Sequence, residues 1–457
     1  MTVSHSDTIA AIATPAGEGG ISVIRISGSN SIAIADRVFR PAGTRMDALR
    51  SVGSHTVHYG HVVRGGRVVD EVLATVFRAP RTFTREDVVE LSCHGGPRVT
   101  AWVLEAVLEA GARLAAPGEF TQRAFLNGRI DLSQAEAVSD LIHARTRRAA
   151  AAAAEQLAGG LSRRVEPIRE ELMRVLAHLE AYVDFPEEDI QPETGLALVR
   201  RLEVAGESLR ALLKTAGEGR ILRQGLRTVI VGRPNAGKSS LLNQLLSHER
   251  AIVSPIAGTT RDTLEEAVEI GGIALVLVDT AGLREAGDVL EAEGIRRSRA
   301  AMEGADLVVL VVDGSAPLTA EDEALFAETA PFRRVVVSNK SDLPQEARFA
   351  AGVEPVRISC RTGEGLAELQ AALLASVGMQ PGDAEHGGVA VNARHADALR
   401  RALMALEATV TALRGNVSPD LVALDLRIAT SCVGEISGRT STEDLLDLVF
   451  SQFCLGK

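Results

Sequence analysis

Aromatic side chains are scarce in this chain: Phe, Trp and Tyr together make up 3% of its 457 residues. Its cores must therefore rest on Leu, Val, Ile and Ala. Cysteine is almost as rare. Cys93, Cys360, Cys432 and Cys454 lie far apart, no pair has metal-ligand spacing, and a disulfide framework is implausible. Positive charge is in deficit, with 49 Lys and Arg against 60 Asp and Glu and a formal net charge of −11. That balance argues against a stand-alone basic clamp on nucleic acid, though not against a local basic patch. Apolar runs such as Leu307 to Val312 are strand-length, far below the ~18 residues of a membrane span. Met1 to Asp7 has no charged segment leading into an apolar core, so no signal peptide is expected and the chain reads as cytoplasmic. Neither an internal repeat nor a low-complexity segment stands out.

What is present is dominated by one stretch, Gly232-Arg233-Pro234-Asn235-Ala236-Gly237-Lys238-Ser239-Ser240. It follows the apolar run Thr228 to Val231 and precedes Leu241 to Leu246, the strand–loop–helix context of a phosphate-binding loop. Glycines let backbone N–H groups turn onto phosphate oxygens, and the helix N-terminus adds a favourable dipole. Lys238 reaches the β- and γ-phosphates in such a loop, and the Ser239 hydroxyl ligates magnesium. Three further segments keep the same order. Ile273 to Val278 runs into Asp279-Thr280-Ala281-Gly282, a γ-phosphate and magnesium sensor. Val335 to Val337 leads to Asn339-Lys340-Ser341-Asp342, whose Asp342 carboxylate can accept two hydrogen bonds from guanine N1 and N2. Ser359-Cys360-Arg361 sits where a last loop braces the base. Ligands at the carboxyl ends of strands are the rule for such sheets, so residues 225–379 are expected to form a guanine-nucleotide-binding α/β domain with a mostly parallel sheet.

The flanks read differently. Residues 1–127 alternate β-like runs with turn signals: Thr8 to Thr14, Ile21 to Ile26, Val68 to Phe77, and Asp87 to Cys93 before His94-Gly95-Gly96-Pro97. A helix is expected over 98–110, closed by Gly111. This α+β domain has no function legible from pattern alone. Arg25 stands alone in an apolar strand and needs a carboxylate or an anionic ligand. His94 reads more readily as a hydrogen-bonded structural group than as a catalyst. Residues 128–224 and 380–457 are helical, with Ser133-Gln134-Ala135-Glu136 as a capping box, Ala149 to Ala154 as a strong helix former, and Ser441-Thr442-Glu443-Asp444 opening a last helix. Asp184 to Asp189 is an acidic break of solvated character. Helical segments on both sides of the α/β unit imply that it is inserted into a helical domain.

Hydrolysis requires an oriented water and stabilised charge on the phosphoryl group. The glutamine that follows Asp-x-x-Gly in Ras-like enzymes is replaced here by Leu283, which can do neither. Asn235 and the loop Ser254 to Asp262 offer neutral oxygens that could hold a monovalent cation, and Thr260 is the second magnesium candidate. Glu285, Asp288, Glu291 and Glu293 are the acids that could reach the attacking water through a bridging molecule, although most such switch acids are merely solvated, and sequence physics does not choose among them.

Taken over its full length, the chain resembles the MnmE (TrmE) family of tRNA-modification GTPases. The likeness rests on Ala13-Thr14-Pro15 with Gly19-Gly20, Arg25-Ile26-Ser27-Gly28, His94 to Pro97 and Pro117-Gly118-Glu119-Phe120. It continues through Arg123 to Asn127, Asp131 to Ala137, Gly232 to Ser240, Ile256 to Asp262, Asp279 to Arg284, and Phe453-Cys454-Leu455-Gly456-Lys457. The resemblance implies an N-terminal α+β tetrahydrofolate-binding and dimerisation domain (1–127), an all-α domain split in sequence (128–224 and 380–457) and an inserted Ras-like P-loop GTPase domain (225–379). It implies a homodimer that works on tRNA with the FAD-dependent partner MnmG (GidA), in a heterotetramer or larger assembly. The pair would install an aminomethyl or carboxymethylaminomethyl group at C5 of wobble uridine 34, drawing one carbon from a 5,10-methylene- or 5-formyl-tetrahydrofolate. Potassium-stimulated joining of two G domains would drive hydrolysis.

Carried onto these residues, GTP contacts fall on Asn235, Ala236, Gly237, Lys238, Ser239 and Ser240, and on Ser254, Pro255, Ile256, Ala257, Gly258, Thr259 and Thr260. They also fall on Asp279, Thr280, Ala281, Gly282, Asn339, Lys340, Asp342, Ser359, Cys360 and Arg361. Magnesium falls to Ser239 and Thr260, potassium to Asn235, Ser254, Ile256 and Thr259, and water orientation to Glu291. Folate falls to Arg25, Glu90, Arg129 and Lys457, with Arg129 where some relatives carry lysine, and a functional thiol to Cys454. Two rival readings are a related ribosome-assembly GTPase, which no Gly-x-x-Gly module or basic tail supports, and a nucleotide-gated scaffold for a partner's chemistry.

Overall fold

The computed structural model describes residues 7–43, 48–184, 195–248, 266–278, 301–379, 390–415, 417–454 and 456–457. It contains two compact units, Met1–Ser139 with Gly434–Lys457, and Asp140–Val433.

The first unit is built on a seven-stranded sheet. Its strands are β1 (Ile9–Ile12), β2 (Gly19–Ser27), β3 (Phe39–Pro41), β4 (Thr56–Arg64), β5 (Arg67–Phe77), β6 (Val88–Gly95) and β7 (Arg113–Leu114), in the order β3-β4-β5-β6-β2-β1-β7. Neighbours are antiparallel except β1 and β7. Because side chains alternate along a strand, Ile24 and Ile26 of β2 enter the core with Val89 and Leu91 of β6. The residues between them, Arg25 and Glu90, face the opposite side and stand directly across from each other. Helices Ser31–Val38 and Pro97–Glu109 contribute Ile32, Ile34, Val103 and Val107 to the core. Pro97 occupies the first helical turn, where its missing N–H costs nothing, and Gly111 adopts φ 111° just past the end.

One local expectation is corrected. The helix Leu132–His143 is capped by Asp131, not Ser133: Asp131 Oδ1 accepts from Gln134 N at 2.9 Å, and Gln134 Oε1 accepts from Asp131 N at 2.9 Å. The box is therefore shifted two residues upstream, to the side chain that can reach the first-turn amides. The alanine run forms a helix as expected, Arg147–Leu157, capped by Thr146 Oγ1 on Ala149 N at 3.1 Å.

The C-terminal segment completes the first unit. Thr442 caps the helix Glu443–Ser451, and Phe450 and Phe453 pack with Leu132 and Ala135. Beyond it, Gly118 N donates to Cys454 O at 3.4 Å and Phe120 N to Lys457 O at 3.2 Å. Gly456 lies so close to β1 that a Cβ there would sit 2.1 Å from the Ile12 carbonyl oxygen.

The second unit holds a six-stranded sheet, β8 (Leu226–Val231), β9 (Glu266–Ile270), β10 (Ile273–Leu277), β11 (Leu307–Asp313), β12 (Arg334–Asn339) and β13 (Val356–Arg357), ordered β13-β12-β11-β8-β10-β9. All pairs are parallel except β9 with β10. β11 is apolar from Leu307 to Val312 because both its faces are covered. Helices Gly195–Lys214 and Ala393–Arg414 pack together in the same unit, with Leu406 3.5 Å from the Cβ position at Gly206. Among the described residues no helix is long and apolar enough to cross a membrane.

Candidate functional site

The phosphate loop leaves the carboxyl end of β8 and enters the helix Lys238–His248. Its turn demands unusual backbone. Gly232 has φ 155°, Gly237 has φ 103°, and Asn235, which has a side chain, has φ 63°. Asparagine tolerates that left-handed region better than most residues. At Gly237 a Cβ would lie 2.0 Å from Asn339 Nδ2. Lys238 Nζ donates to the carbonyls of Gly232 at 2.7 Å and Arg233 at 2.9 Å, so the ammonium sits over the loop. Burial holds its pKa below the ordinary lysine value, with Glu321 opposing. Arg233 anchors the loop's start on the buried Asp322 at 2.8 Å.

The base-side segments follow β12 and β13, and one buried side chain ties them to the phosphate loop. Asn339 Nδ2 donates to Ala236 O at 2.9 Å, while Asn339 Oδ1 accepts from Cys360 N at 3.2 Å. Asn339 thus acts as a staple between three segments that are distant in sequence. Lys340, at φ 66°, pairs with Asp313 at 2.6 Å. Asp342 Oδ1 accepts from Ser359 Oγ at 2.7 Å, and Oδ2 lies 3.7 Å from Arg361 Nη1. A carboxylate offers about four lone-pair positions, so Asp342 keeps acceptor capacity for the N–H pair of a guanine edge. Burial pushes the Cys360 thiol up to about 11, leaving it unreactive at neutral pH. Its carbonyl accepts from Gln244 Nε2 at 2.7 Å.

Ser254, Pro255, Ile256, Ala257, Gly258, Thr259, Thr260, Asp279, Thr280, Ala281, Gly282, Leu283 and Glu291 lie outside the described residues. So do most of the acidic break and the other switch acids. Of the metal-site candidates, Asn235 and Ser239 are described, at the loop and at the first turn of the helix it enters.

The first unit carries a cavity of about 480 Å³ on the sheet face opposite the helices Ser31–Val38 and Pro97–Glu109, lined among others by Arg25, Phe83, Arg85, Glu90 and Arg129. Arg25 Nε donates to Glu90 Oε1 at 2.9 Å, and its guanidinium carbon lies 5.8 Å from the Phe83 ring centre and 5.7 Å from that of Phe120. The intramolecular ion pair expected as one alternative for Arg25 is present, yet its Nη1 and Nη2 have no hydrogen-bond partner among the described residues. Arg129 also lies over the Phe83 ring, 4.9 Å from its centre, and donates through Nη1 to Phe83 O at 3.0 Å. Burial, and then the like charge of Arg85, lower the Arg129 pKa. Three of the four folate candidates thus relate to one place: Arg25, Glu90 and Arg129 line the cavity. Lys457 connects to it through its main-chain bond to Phe120, whose ring underlies Arg25.

The same unit holds an ion network centred on the buried Arg123 and Glu119. Arg123 binds Asp7 at 2.6 Å, Glu86 at 3.1 Å and Glu119 at 3.0 Å, and Arg113 binds Glu119 at 2.6 Å. Ser27 and Thr84 extend it through Glu86 and each other. His94 is elsewhere: its ring is exposed, Nδ1 lies 2.8 Å from Asp70 Oδ1, and that bond raises its pKa. Cys454 is exposed, and its carbonyl accepts from Gly118 N, which is not among the cavity residues.

Sequence reasoning missed Phe83, Arg81 and Arg85 as cavity residues, and missed Asn339 as a staple. The cavity residues had a signal in Arg81-Thr82-Phe83-Thr84-Arg85, two cations bracketing an aromatic ring in a turn-rich stretch. Asn339 had none, because its partners are 103 and 21 residues away.

Two family models match the chain, "GTP-binding protein TrmE N-terminus" over residues 8–129 and "MnmE helical domain" over residues 132–454. A tRNA modification GTPase MnmE of Listeria innocua is 48% identical over 99% of both chains. Its counterpart from Chloroflexus aurantiacus is 50% identical over 99% of this chain and 100% of its own. The solved structure of a point variant of Aquifex aeolicus Era, bound to GDP and aluminium fluoride, is 27% identical over 34% of this chain and 57% of its own, with a TM-score of 0.25.

Proposed function

This chain belongs to the MnmE (TrmE) family of tRNA modification GTPases, and from that premise we propose how its two sites share the work. It is a P-loop GTP hydrolase that acts in tRNA modification. GTP occupies the second unit, with phosphates on Asn235 to Ser240, the base read by Asp342 and braced by Ser359, Cys360 and Arg361, and Asn339 holding the loops in register. Ser239 and Thr260 hold magnesium, while Asn235, Ser254, Ile256 and Thr259 hold potassium, which supplies positive charge where phosphoryl charge develops. Asp279 to Gly282 senses the γ-phosphate. Glu291 orients the water that Leu283 cannot.

The first unit binds a tetrahydrofolate, of the 5,10-methylene or 5-formyl type, in the arginine cavity. Phe83 offers a planar face, the free Nη groups of Arg25 offer paired donors for a carboxylate or ring edge, and Glu90 accepts from ring N–H groups. Arg129 and Lys457 complete the site. The chain works as a cytoplasmic homodimer joined through residues 1–127, with 128–224 and 380–457 as its helical domain and 225–379 as its GTPase domain. With FAD-dependent MnmG it installs the aminomethyl-type group at C5 of uridine 34 in certain tRNAs. Cys454 is exposed and available to that chemistry.

The observation that carries this reading is the presence in one chain of a stapled nucleotide loop and of an arginine cavity with unpaired donors. The test is mass spectrometry of tRNA nucleosides from cells lacking the chain, rescued with wild type, Glu291→Ala or Arg25→Ala. C5-substituted wobble uridine restored by wild type alone supports both halves. Restoration by Arg25→Ala removes the folate half, and a nucleoside profile indifferent to the chain removes the whole reading.

A further inference from the structure

Four arginines line the cavity of the first unit, Arg25, Arg81, Arg85 and Arg129, against a single acid, Glu90. In a chain of net charge −11 such a concentration is conspicuous. Glu90 is already engaged with Arg25 at 2.9 Å. Arg81 has no hydrogen-bond or ion-pair partner among the described residues. Arg85 has φ 59°, a conformation disfavoured for a side chain with a Cβ. It is held there by the 127–129 turn: Arg85 Nη1 donates to Asn127 O at 2.8 Å, and Asn127 Nδ2 donates back to Thr84 O at 2.7 Å. The same turn brings Arg129, also fixed on Phe83 O, close enough for the two cations to repel.

A strained backbone and a like-charge pair cost free energy in the protein alone, and the exposed Arg81 leaves its donors to solvent. An oligoanion laid across them relieves the repulsion and engages those donors. One carboxylate would suffice for Arg25; three further guanidiniums exceed what a single-tailed ligand needs. We infer that Arg81, Arg85 and Arg129 form a subsite for a chain of carboxylates attached to the cavity ligand, so that the folate taken is an oligo-γ-glutamyl form in preference to the monoglutamate. This rests on the folate reading above and adds the specificity of the same site. The arginines line the same cavity as Arg25 and Phe83, which favours a tail attached to the cavity ligand over a separate nucleic-acid backbone.

The measurement is equilibrium binding of 5-formyl-tetrahydrofolate carrying one or three γ-linked glutamates to the full chain, to Arg81→Ala, to Arg85→Gln and to Arg85→Lys. Wild type is expected to bind the triglutamate roughly tenfold more tightly, a preference that shrinks as salt screens exposed pairs. Arg81→Ala and Arg85→Gln should each lose most of that ratio, and Arg85→Lys should keep part of it. Arg81 is exposed and has no hydrogen-bond or ion-pair partner among the described residues, so its variant answers even if the Arg85 variants misfold. A wild-type ratio near one, or a ratio that survives both neutral substitutions, overturns the inference while leaving folate binding intact. Failure of wild type to bind either form overturns both. Loss of tRNA affinity in Arg81→Ala with an unchanged glutamate ratio assigns the cluster to RNA phosphate and also overturns it.

Discussion

The two units each carry a candidate site for an anionic ligand, and they build it from different parts of the chain. In the second unit the phosphate loop uses backbone: it turns through two positive-φ glycines into the N-terminus of a helix, where main-chain N–H groups are available to an anion. In the first unit the cavity uses side chains, with Arg25 on β2, Glu90 on β6, Phe83 and Arg85 in a connecting loop and Arg129 in a turn. A backbone-built site depends on local dihedral angles and is broken by small changes such as an added methyl group. A side-chain-built site depends on the scaffold that gathers its members, and is weakened gradually by changes in the groups themselves.

The strongest way to break this contrast is through the scaffold of the first unit. Arg123→Ala leaves Glu119, Glu86 and Asp7 without their shared cation and should cost about 3–5 kcal/mol of unfolding free energy, read by denaturant titration. The same network predicts an acid limb. Burial pushes the Glu119 carboxyl up, but the Arg113 bond, the Ala116 amide and Arg123 outweigh it, leaving its pKa lowered. A lowered carboxylate pKa stabilises above the unfolded value of about 4.3 and the benefit is lost as pH falls through the folded value. Melting temperature should therefore drop below pH ~4.3 in wild type, with a flatter acid limb in Glu119→Gln.

Next in size, Gly237→Ala should reduce GTP affinity roughly 100-fold, through backbone strain and the clash with Asn339 Nδ2. Fluorescent-nucleotide titration checks it, and a loss under tenfold would contradict the backbone-built account. At the cavity the conservative Arg25→Lys keeps charge but loses the fork, and should cost about tenfold in folate affinity. A larger loss there than at Gly237 would reverse the contrast. The smallest expected effect is at His94, whose ring should titrate above about 6.5 by NMR because Asp70 holds its proton. Its folded-state pKa is raised, so any stabilisation is present below the unfolded value and fades as pH rises; Asp70→Asn should return the titration toward 6.5.

Legibility in the sequence followed the same division. The parallel sheet and its nucleotide loops could be read directly, because apolar runs such as Leu307 to Val312 and the spacing from Gly232 to Ser240 are local. Alternation placed β2, β5 and β6, and it singled out Arg25 as a cation in need of a partner. Its partner Glu90 is 65 residues away, and pattern alone did not connect them. The capping box slipped by two residues because Ser133-x-x-Glu136 and Asp131-x-x-Gln134 both satisfy the motif, and only helix geometry decides which side chain reaches the amides.

By itself, then, the sequence determined where backbone must turn: the phosphate loop, the glycine that ends the helix after β6, and the strands whose faces alternate. Those features are set by dihedral preference and short-range periodicity, which act over a few residues. Tertiary structure alone decided that Asn339 joins three loops, that the chain's last residues dock on β1 and Phe120, and that Arg25, Arg81, Arg85 and Arg129 surround one cavity. Each of those is a contact between groups distant in the chain, and its existence depends on sheet order and register, which no local propensity encodes.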